Sequence, residues 1–376
     1  MPNFRMPGID VNEIVSSPHV IHPMAATATA FVAATANGPR NEPVRLQRFD
    51  DYVAHFGPLG DYDDRLGLAL HLFFANGGDD ALVIGLDPDN VSTNDYLDAF
   101  SAFVAKDPSV GMLVLPDQCW SEDQDRNETL RHLVSASERT NQSMVLIDLA
   151  TDIRLSNAGS VRRLKLPESA CAALYYPRVA LVHPTTNKTI DVEISAMAAA
   201  VFARTDRERG VWQAPAGKEA RLFSVENMAV SLTDHQRSVL APLGINTLFE
   251  LPRGPSVWGA RTLSKDPQGR YVPVHRLGLM IDYSLTHGLA WVSNETNNVA
   301  LWEMVSARAR DFMHILFRAG AFTGTSEDDA YFVRCGLGTT MSAADIAAKR
   351  LIVEIGYAPL RPAEFSIKTL RIPTAS

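Results

Sequence analysis

The sequence predicts an α/β protein with two domains: a domain built on a parallel or mixed sheet, followed by a smaller α+β domain, with an extended segment at each end. Over the first two thirds of the chain, short and nearly continuous apolar runs alternate with helical patterns. Such alternation is typical of a parallel sheet that helices cover on both faces. From residue 299 onward, a long amphipathic helix precedes several short strands. Near each end, apolar and polar residues alternate beside prolines, which indicates extended backbone.

The composition is that of a globular protein. The 376 residues suffice for two domains, and 46% of them are hydrophobic against 21% charged. No run reaches the roughly 20 apolar residues of a membrane span, and the first residues lack the pattern of a signal peptide. Three scattered cysteines favour reduced thiols and folding in the cytosol. The net charge of -8 argues against general nucleic-acid binding.

The first domain is predicted to alternate strands and helices. Each strand is a short run of small or branched apolar residues, and each helix has apolar residues at intervals of three and four. The predicted strands cover residues 27–34, 44–46, 81–86, 111–116, 144–149, 170–176 and 178–182, and the predicted helices cover 49–56, 65–75, 95–105, 125–139, 191–204 and 233–240. We therefore place this domain at residues 23–243.

The second domain, residues 244–360, is organised around a helix predicted at 299–319. Asn297 or Asn298 is a suitable N-cap for this helix. Its apolar stripe consists of Trp302, Val305, Ala309, Phe312, Leu316 and Ala319. Strands are predicted at 331–335 and 351–357, with a short helix at 342–349 between them.

The other face of this helix combines arginines with apolar side chains. Its members are Met304, Arg308, Arg310, Met313, His314, Phe317 and Arg318. The candidate contact residues among them are Arg308, Arg310, Met313, Phe317 and Arg318. A basic helix in an acidic chain indicates an acidic partner surface. Composition alone favours the simpler interpretation, a core helix whose arginines are merely solvated.

Both ends of the chain, residues 1–22 and 361–376, are predicted to be extended arms, the second with a strand at 365–372. The residues that define the two strands are Ile9, Val11, Glu13 and Ile14, and then Phe365, Ile367 and Leu370. Neither strand has an evident partner in its own chain. A lone strand is unstable in water, and an unpaired edge is a template for another chain. We therefore expect these residues to exchange strands between subunits.

No stretch has the full pattern of a catalytic, metal or cofactor site. Residues 210–218 resemble a phosphate-binding loop, but its glycines are too far apart and Glu219 replaces the hydroxyl residue that meets magnesium. Residues 254–259 resemble a nucleophile elbow whose second glycine is one position late. His19 and His22 lack further ligands nearby. We expect no cofactor and no metal. A cytosolic α/β enzyme of unknown substrate is the alternative, by analogy of fold alone.

Several segments have a distinctive order and spacing. They are residues 205–217, 258–263, 271–288, 318–321, 332–335 and 358–365. Together with the Pro-Gly turn before Ile9, they resemble the contractile tail sheath proteins of phage tails, R-type bacteriocins and extracellular contractile injection systems. The chain departs from the family pattern at 192–196 and 293–297. The resemblance covers nearly the whole chain and is weakest between residues 90 and 170.

The resemblance implies a structural subunit and not an enzyme. Such a subunit polymerises around an inner tube as hexameric rings stacked in a helix, and its contraction drives the tube through a target envelope. The resemblance also implies contacts with a baseplate and terminal cap proteins, and it leaves room for paralogous sheath subunits. It implies neither nucleic-acid binding nor membrane insertion. Assembly is expected in the cytoplasm, within a phage tail or a released tail-like particle.

The resemblance further implies an arrangement of the two domains. The inserted α/β domain would face outward, and the arginine face of the helix at 299–319 would contact the tube. Contraction should leave both domains folded, because packed cores resist deformation. Movement is then expected at three joints that contain proline or glycine or are extended, residues 16–23, 251–255 and 358–362.

Overall fold

A computed structural model gives the fold of residues 19–61, 63–361 and 364–375. The strands are β1 (Ala28–Ala34), β2 (Pro43–Leu46), β3 (Ala81–Leu86), β4 (Val110–Trp120), β5 (Met144–Leu149), β6 (Ala172–Tyr176), β7 (Val179–Val182), β8 (Thr189–Val192), β9 (Asn227–Met228), β10 (Ile245–Leu251), β11 (Gly254–Val257), β12 (Tyr331–Cys335), β13 (Arg350–Tyr357) and β14 (Ser366–Pro373). The helices are α1 (Phe49–Phe56), α2 (Arg65–Ala75), α3 (Thr93–Ala102), α4 (Glu128–Thr140), α5 (Ala158–Arg163), α6 (Ser195–Arg209), α7 (Asp234–Leu240), α8 (Val272–Gly288), α9 (Val299–Arg318), α10 (Glu327–Ala330) and α11 (Ala343–Ala347). These elements form two modules, which we call the sheet module and the C-terminal module.

The sheet module is built on an eight-stranded mixed sheet. Its strand order is β11-β10-β6-β5-β4-β1-β3-β2. The six inner strands are parallel, whereas β2 and β11 pair antiparallel at the two edges. β3 lies on one side of β1, whereas β4, β5 and β6 follow one another on the other side, so the strand order reverses at β1. With this topology, helices cover both faces of the sheet.

Alternate residues of the inner strands face opposite sides of this sheet, which explains why their apolar runs are continuous. In β1, Phe31 belongs to the core beneath α1, α2 and α6, and Val32 belongs to the core beneath α3 and α4. Every residue of α6 from 195 to 203 is buried. The small side chains of this alanine-rich helix suit a position enclosed on all sides, because they let neighbouring elements approach closely.

The C-terminal module packs α8 and α9 against the antiparallel sheet β12-β13-β14. Its core includes Ile281 of α8, Phe312 of α9 and Ile355 of β13. Ile21 belongs to the same core, although it lies far away in sequence. Residues 19–27, which we call the leading segment, therefore complete the C-terminal module before the chain enters β1.

Most of the predicted elements are confirmed, and the bounds of five match to the residue: 49–56, 65–75, 81–86, 144–149 and 331–335. The long helix is confirmed as α9, and the Asn298 side chain caps it by accepting from Leu301 N. The patterns did not predict α8 as a helix. Pro273, the buried Arg276 and Gly278 interrupt its apolar periodicity. Gly278 is needed there, since a Cβ at this position would lie 2.7 Å from Tyr357 Oη.

The large sheet continues past the domain boundary predicted at residue 243. Ile245 in β10 pairs with Leu174 in β6, and β11 then closes the sheet edge. A boundary at 243 therefore separates strands of one sheet. Residues 251–255 were predicted to be a joint between domains, but Leu251 pairs with Gly254 in a hairpin. That prediction is wrong, because this crossing is a tight turn within the sheet.

The C-terminal strand has a partner in its own chain. β14 runs antiparallel to β13 over eight residue pairs, and Leu370 lies opposite Val353. The prediction that this strand lacks such a partner is therefore wrong. Equal lengths of eight residues and a short connection make the pairing favourable. The N-terminal residues Ile9, Val11, Glu13 and Ile14 lie outside the described part of the chain.

Truncation of a side chain in the C-terminal core should destabilise the fold strongly. Phe312 is 1% exposed, so Phe312→Ala leaves a cavity and should lower the free energy of unfolding by about 3–5 kcal/mol. Met304→Ala on the same helix is the control, because Met304 is 45% exposed and its loss should change that free energy by less than about 0.5 kcal/mol. Denaturant unfolding followed by circular dichroism measures both. Equal effects of the two substitutions would contradict the orientation of α9.

Candidate functional site: the module joint and the assembly surfaces

The two modules meet at a buried ion pair between α6 and α8. Arg276 Nη1 donates to Asp206 Oδ1 at 2.7 Å, and Arg276 Nη2 donates to Asp206 Oδ2 at 2.5 Å. The two side chains are 4% and 2% exposed. The guanidinium also lies over the Phe202 ring, 5.1 Å from its centroid, and donates to the Ala26 carbonyl at 3.3 Å. One arginine therefore connects both modules and the leading segment.

Sequence reasoning gave this pair no role. Asp206 lies within residues 205–217, which stood out only through family resemblance, and Arg276 lies in a helix that the patterns did not predict. The planar guanidinium matches a carboxylate through two parallel hydrogen bonds, so the pair fixes orientation as well as distance. The sequence did contain one signal for this pair. Asp206 and Arg276 are each a single charged residue on a helix face that is otherwise buried.

The leading segment lies along α8 and holds the start of the described chain against the C-terminal module. Ile21 is 2% exposed and packs on Gly288, where a Cβ would come within 2.7 Å of the Ile21 side chain. Met24 N donates to Ser284 Oγ at 2.8 Å. His19 stacks on Trp291 with ring centroids 4.2 Å apart. The described part of the predicted joint at 16–23 is thus anchored by Ile21 and His19, while residues 20, 22 and 23 are exposed.

Of the five residues predicted to contact a tube, some lie on the surface and others are partly or fully buried. Arg310 and Arg318 are exposed. Arg308 is partly covered and pairs with Asp311 at 3.5 Å. Phe317 is half-buried, with its ring centroid 6.1 Å from that of Tyr331.

Met313 does not reach the surface. It is 0% exposed, so its predicted place on the exposed face is wrong. Met313 follows Ala309 by four positions and Val305 by eight, which places all three on the core side of α9. Met304, which was predicted to lie on the exposed face, is exposed at 45%, and Ile315, which was not, is exposed at 47%.

Met304 and Ile315 lie on one line along the outer face of α9. With Ala307 and Asp311 between them, the spacing is three, four and four residues, which follows one side of a helix. Arg308 and Arg318 lie near this line at helical spacing. We call these six residues the α9 face. Arg310 lies at its flank, toward Cys335 of β12.

β14 is an edge strand whose two faces differ. Leu370 is 8% exposed and belongs to the core, whereas Ile367 is 56% exposed. Phe365 packs edge-on against Phe332, with centroids 5.1 Å apart. In the described chain no other strand pairs with the outer edge of β14. The main-chain groups along that edge are therefore available to a further strand.

A cleft of about 490 Å³ lies at the carboxyl ends of β4, β5 and β6. Open α/β sheets commonly bind ligands at this edge, so the cleft bears on the enzyme alternative. Its cysteine, Cys119, has its Sγ 3.6 Å from Glu193 Oε1. Burial raises the pKa of Cys119, and the charge of Glu193 raises it further. This thiol therefore lacks the lowered pKa of a reactive cysteine.

A second cysteine contacts a histidine between the modules. Cys171 Sγ lies 3.5 Å from His275 Nε2. Burial raises the pKa of Cys171 to about 12. Burial, and then the charges of Lys368 and Arg276, lowers the pKa of His275 to about 4. Both groups are neutral near pH 7, which is the reverse of an activated thiolate beside a histidine.

The described residues contain no group of three His, Cys, Asp or Glu side chains that could hold a metal ion. In the same part of the chain, no helix is both long enough and apolar enough to cross a bilayer.

Known proteins similar to this chain are sheath proteins. Over 150 residues, the chain is 31% identical to the putative prophage major tail sheath protein of Pseudomonas aeruginosa (strain UCBPP-PA14). It matches a chain of the helical sheath of the anti-feeding prophage in the contracted state with a TM-score of 0.78 and 28% identity, over 98% of this chain and 99% of that chain. The chain is a homologue of contractile sheath proteins.

A second solved structure supports the same relationship. The sheath homologue matches a chain of the PVC sheath complex, from an extracellular contractile injection system in the contracted state, with a TM-score of 0.77 and 26% identity over 98% of both chains. The alignment with the Pseudomonas protein spans 39% of this chain and 38% of that protein. No family model matches the sequence. The predicted family resemblance is confirmed, and so is a mixed α/β fold.

Breaking the buried ion pair should destabilise the sheath homologue far more than breaking a surface pair. Arg276→Gln leaves Asp206 buried without a counter-charge and should lower the free energy of unfolding by about 3–5 kcal/mol. Arg207→Gln is the matched control. It removes an ion pair with Asp79 whose side chains are 48% and 54% exposed, and it should cost less than about 1 kcal/mol. A comparably small loss for Arg276→Gln in chemical unfolding would show that the joint does not depend on this pair.

Proposed function

We propose that this chain is a structural subunit of a contractile sheath, which polymerises around an inner tube and drives it through a target envelope by contracting. The observation that supports this most is similarity over 98% of the chain, at 26% to 28% identity, to chains of sheaths in the contracted state. Because the similarity extends over both modules, it favours a shared role of the whole subunit and not merely one domain in common. No specific observation favours the enzyme alternative.

The proposed assembly consists of hexameric rings stacked helically on the tube, in contact with a baseplate and terminal cap proteins. Head-to-tail contacts between identical subunits suit this arrangement, because they form rings or open helices and not closed pairs. We place the sheet module outside and the C-terminal module toward the tube. We further propose that the subunit assembles in the cytoplasm and becomes part of a phage tail or a released tail-like particle.

Strand exchange is the proposed link between subunits. The β14 strand of a neighbour carries the same residues as the chain's own β14, so it would make the same eight-residue ladder with β13. Exchange of an identical element adds little energetic cost, and it requires only that the connection at 358–365 reorient. Phe365, Ile367 and Leu370 would then act between subunits. We propose that Ile9, Val11, Glu13 and Ile14 add a second strand from another neighbour.

The α9 face is the proposed contact with the tube. Its arginines, together with Arg310 at the flank, fit an acidic partner surface. Met304 and Ile315 add apolar contact on the same side, 11 residues or about 16 Å apart along the helix. The tube surface should therefore carry acidic side chains beside a small apolar patch. Each exposed charge contact contributes only ~0.2–1 kcal/mol, which suits a sheath that must release the tube.

A disulfide that holds β14 on its own chain should block polymerisation. Glu354 and Thr369 lie directly opposite each other in the β13–β14 ladder, so Glu354→Cys with Thr369→Cys places two thiols across it. Cys335, on the neighbouring strand, is replaced by serine in the same background. We expect the oxidised variant to sediment as a monomer and to polymerise after reduction. Each single-cysteine variant is a control that should polymerise under both conditions, and long polymers of the oxidised double variant would rule out exchange of β14.

Charge reversal on the α9 face should weaken association with the tube. Arg318 is exposed on this face, so Arg318→Glu should reduce co-sedimentation of sheath with tube, and more strongly at low salt because screening is weakest there. Arg253→Glu, in the exposed turn between β10 and β11, changes the net charge equally and should leave tube association unchanged. Equal tube binding by the two variants at every ionic strength would indicate that α9 is a core helix with solvated arginines.

A further inference from the structure

The cleft at the carboxyl edge of the sheet module has more positive than negative side chains on its accessible surface. Arg65 and Arg178 line it and share one carboxylate, because Glu193 Oε1 accepts from Arg65 at 3.1 Å and from Arg178 at 2.6 Å. Arg126 lines the same cleft, is exposed, and has no hydrogen-bond or ion-pair partner among the residues that the structure describes.

Two further acidic groups at this cleft, Asp117 and Asp148, are turned inward, whereas Asp123 and Asp125 beside Arg126 are exposed to solvent. Asp117 Oδ2 accepts from Tyr96 Oη at 2.5 Å and from Ala34 N at 3.1 Å, and its Oδ1 is buried. Asp148 is 3% exposed, and its carboxylate accepts from the main-chain N–H groups of Ile194 and Ser195. Burial raises the pKa of Asp117. Among the charged side chains that line the cleft, Arg126 is exposed and Arg65 is 40% exposed, against 18% for Glu193.

The location and the volume of this cleft are typical of a binding site for a small molecule. The cleft lies where several parallel strands end, beside the point at which the strand order reverses around β1, and ligands of open α/β sheets commonly bind at such a crevice. Its volume of about 490 Å³ lies within the range of roughly 300–1,000 Å³ for ligand pockets. The chain as a whole is acidic, with a net charge of -8, so this basic group is local and does not belong to a broad basic surface.

We propose that this cleft binds a small phosphate-bearing anion, with Arg65 and Arg126 as the contacts to phosphate oxygens. Arginine suits this task because its planar group donates two parallel hydrogen bonds to phosphate. Arg178, whose side chain is 10% exposed, holds Glu193 and so positions the floor of the site. The site is a property of the single chain and does not depend on the proposed sheath function.

Isothermal titration of the purified chain with inorganic phosphate and with AMP tests this proposal. Arg126→Gln should weaken binding about tenfold, since it removes charge-assisted hydrogen bonds to the anion. Arg139→Gln, an equal charge change at the exposed end of α4 on the opposite edge of the sheet, should leave affinity unchanged. Binding should also weaken as ionic strength rises. Because Arg126 is exposed and unpaired in the described chain, its substitution should not alter the unfolding curve.

Comparing the affinities for AMP and inorganic phosphate shows which kind of phosphate the cleft prefers. Tighter binding of AMP would assign the site to a phosphate monoester, and equal binding would assign it to inorganic phosphate. Thr151 lines the cleft and is exposed, so Thr151→Trp should fill part of it and weaken AMP more than phosphate. The proposal is overturned by absence of binding at millimolar concentration, or by an Arg126→Gln variant that binds like the unmodified chain.

Discussion

The ion pair between Asp206 and Arg276 determines how the two modules meet. A charge buried without its partner is costly by several kcal/mol, so neither side chain separates easily from the other. Their two parallel hydrogen bonds also restrict rotation, since both must remain aligned at once. The same guanidinium contacts Phe202 and Ala26. The sheet module, the C-terminal module and the leading segment therefore all meet at this buried arginine.

This joint constrains how a sheath built from the chain could change length. Because the modules are fixed to each other, a change in the lattice must arise between subunits. The predicted joint at 358–362 is a candidate for such movement, and residues 358–361 of it lie in the described part of the chain. At the module seam, Asn141 contacts Asp282 of α8 at 3.4 Å. This contact is long and exposed, so it would yield before the buried pair does.

The fold followed closely from local sequence patterns where one face of an element was apolar and the other was not. α1 and α2 were predicted to the residue for this reason, and β5 because its apolar run is nearly continuous. The pattern failed where tertiary contacts set the residue choice. Gly278 of α8 is small because Tyr357 packs on it, and the Gly254-Pro255 start of β11 reads as a turn although it pairs with β10.

The charge of the proposed tube-contact helix followed from the sequence, but its exposed side chains followed only in part. The basic character of α9 was visible in the sequence, because it depends only on the count of arginines. Which side chains reach the surface depends on the angle at which the helix packs, and this angle buries Met313 while exposing Met304 and Ile315. The joint between Asp206 and Arg276 depends on a contact across 70 residues, which no local pattern contains.

Electron cryo-microscopy of the polymer formed by this chain tests the account most directly, because it reports both the assembly and the joint. We expect a hollow helical tube whose subunits retain the two modules, with Asp206 and Arg276 in hydrogen-bonding contact in extended and contracted tubes alike. A small closed oligomer would contradict the sheath function. Tubes in which the modules have separated, with this ion pair broken in one of the two states, would contradict the proposed rigid joint.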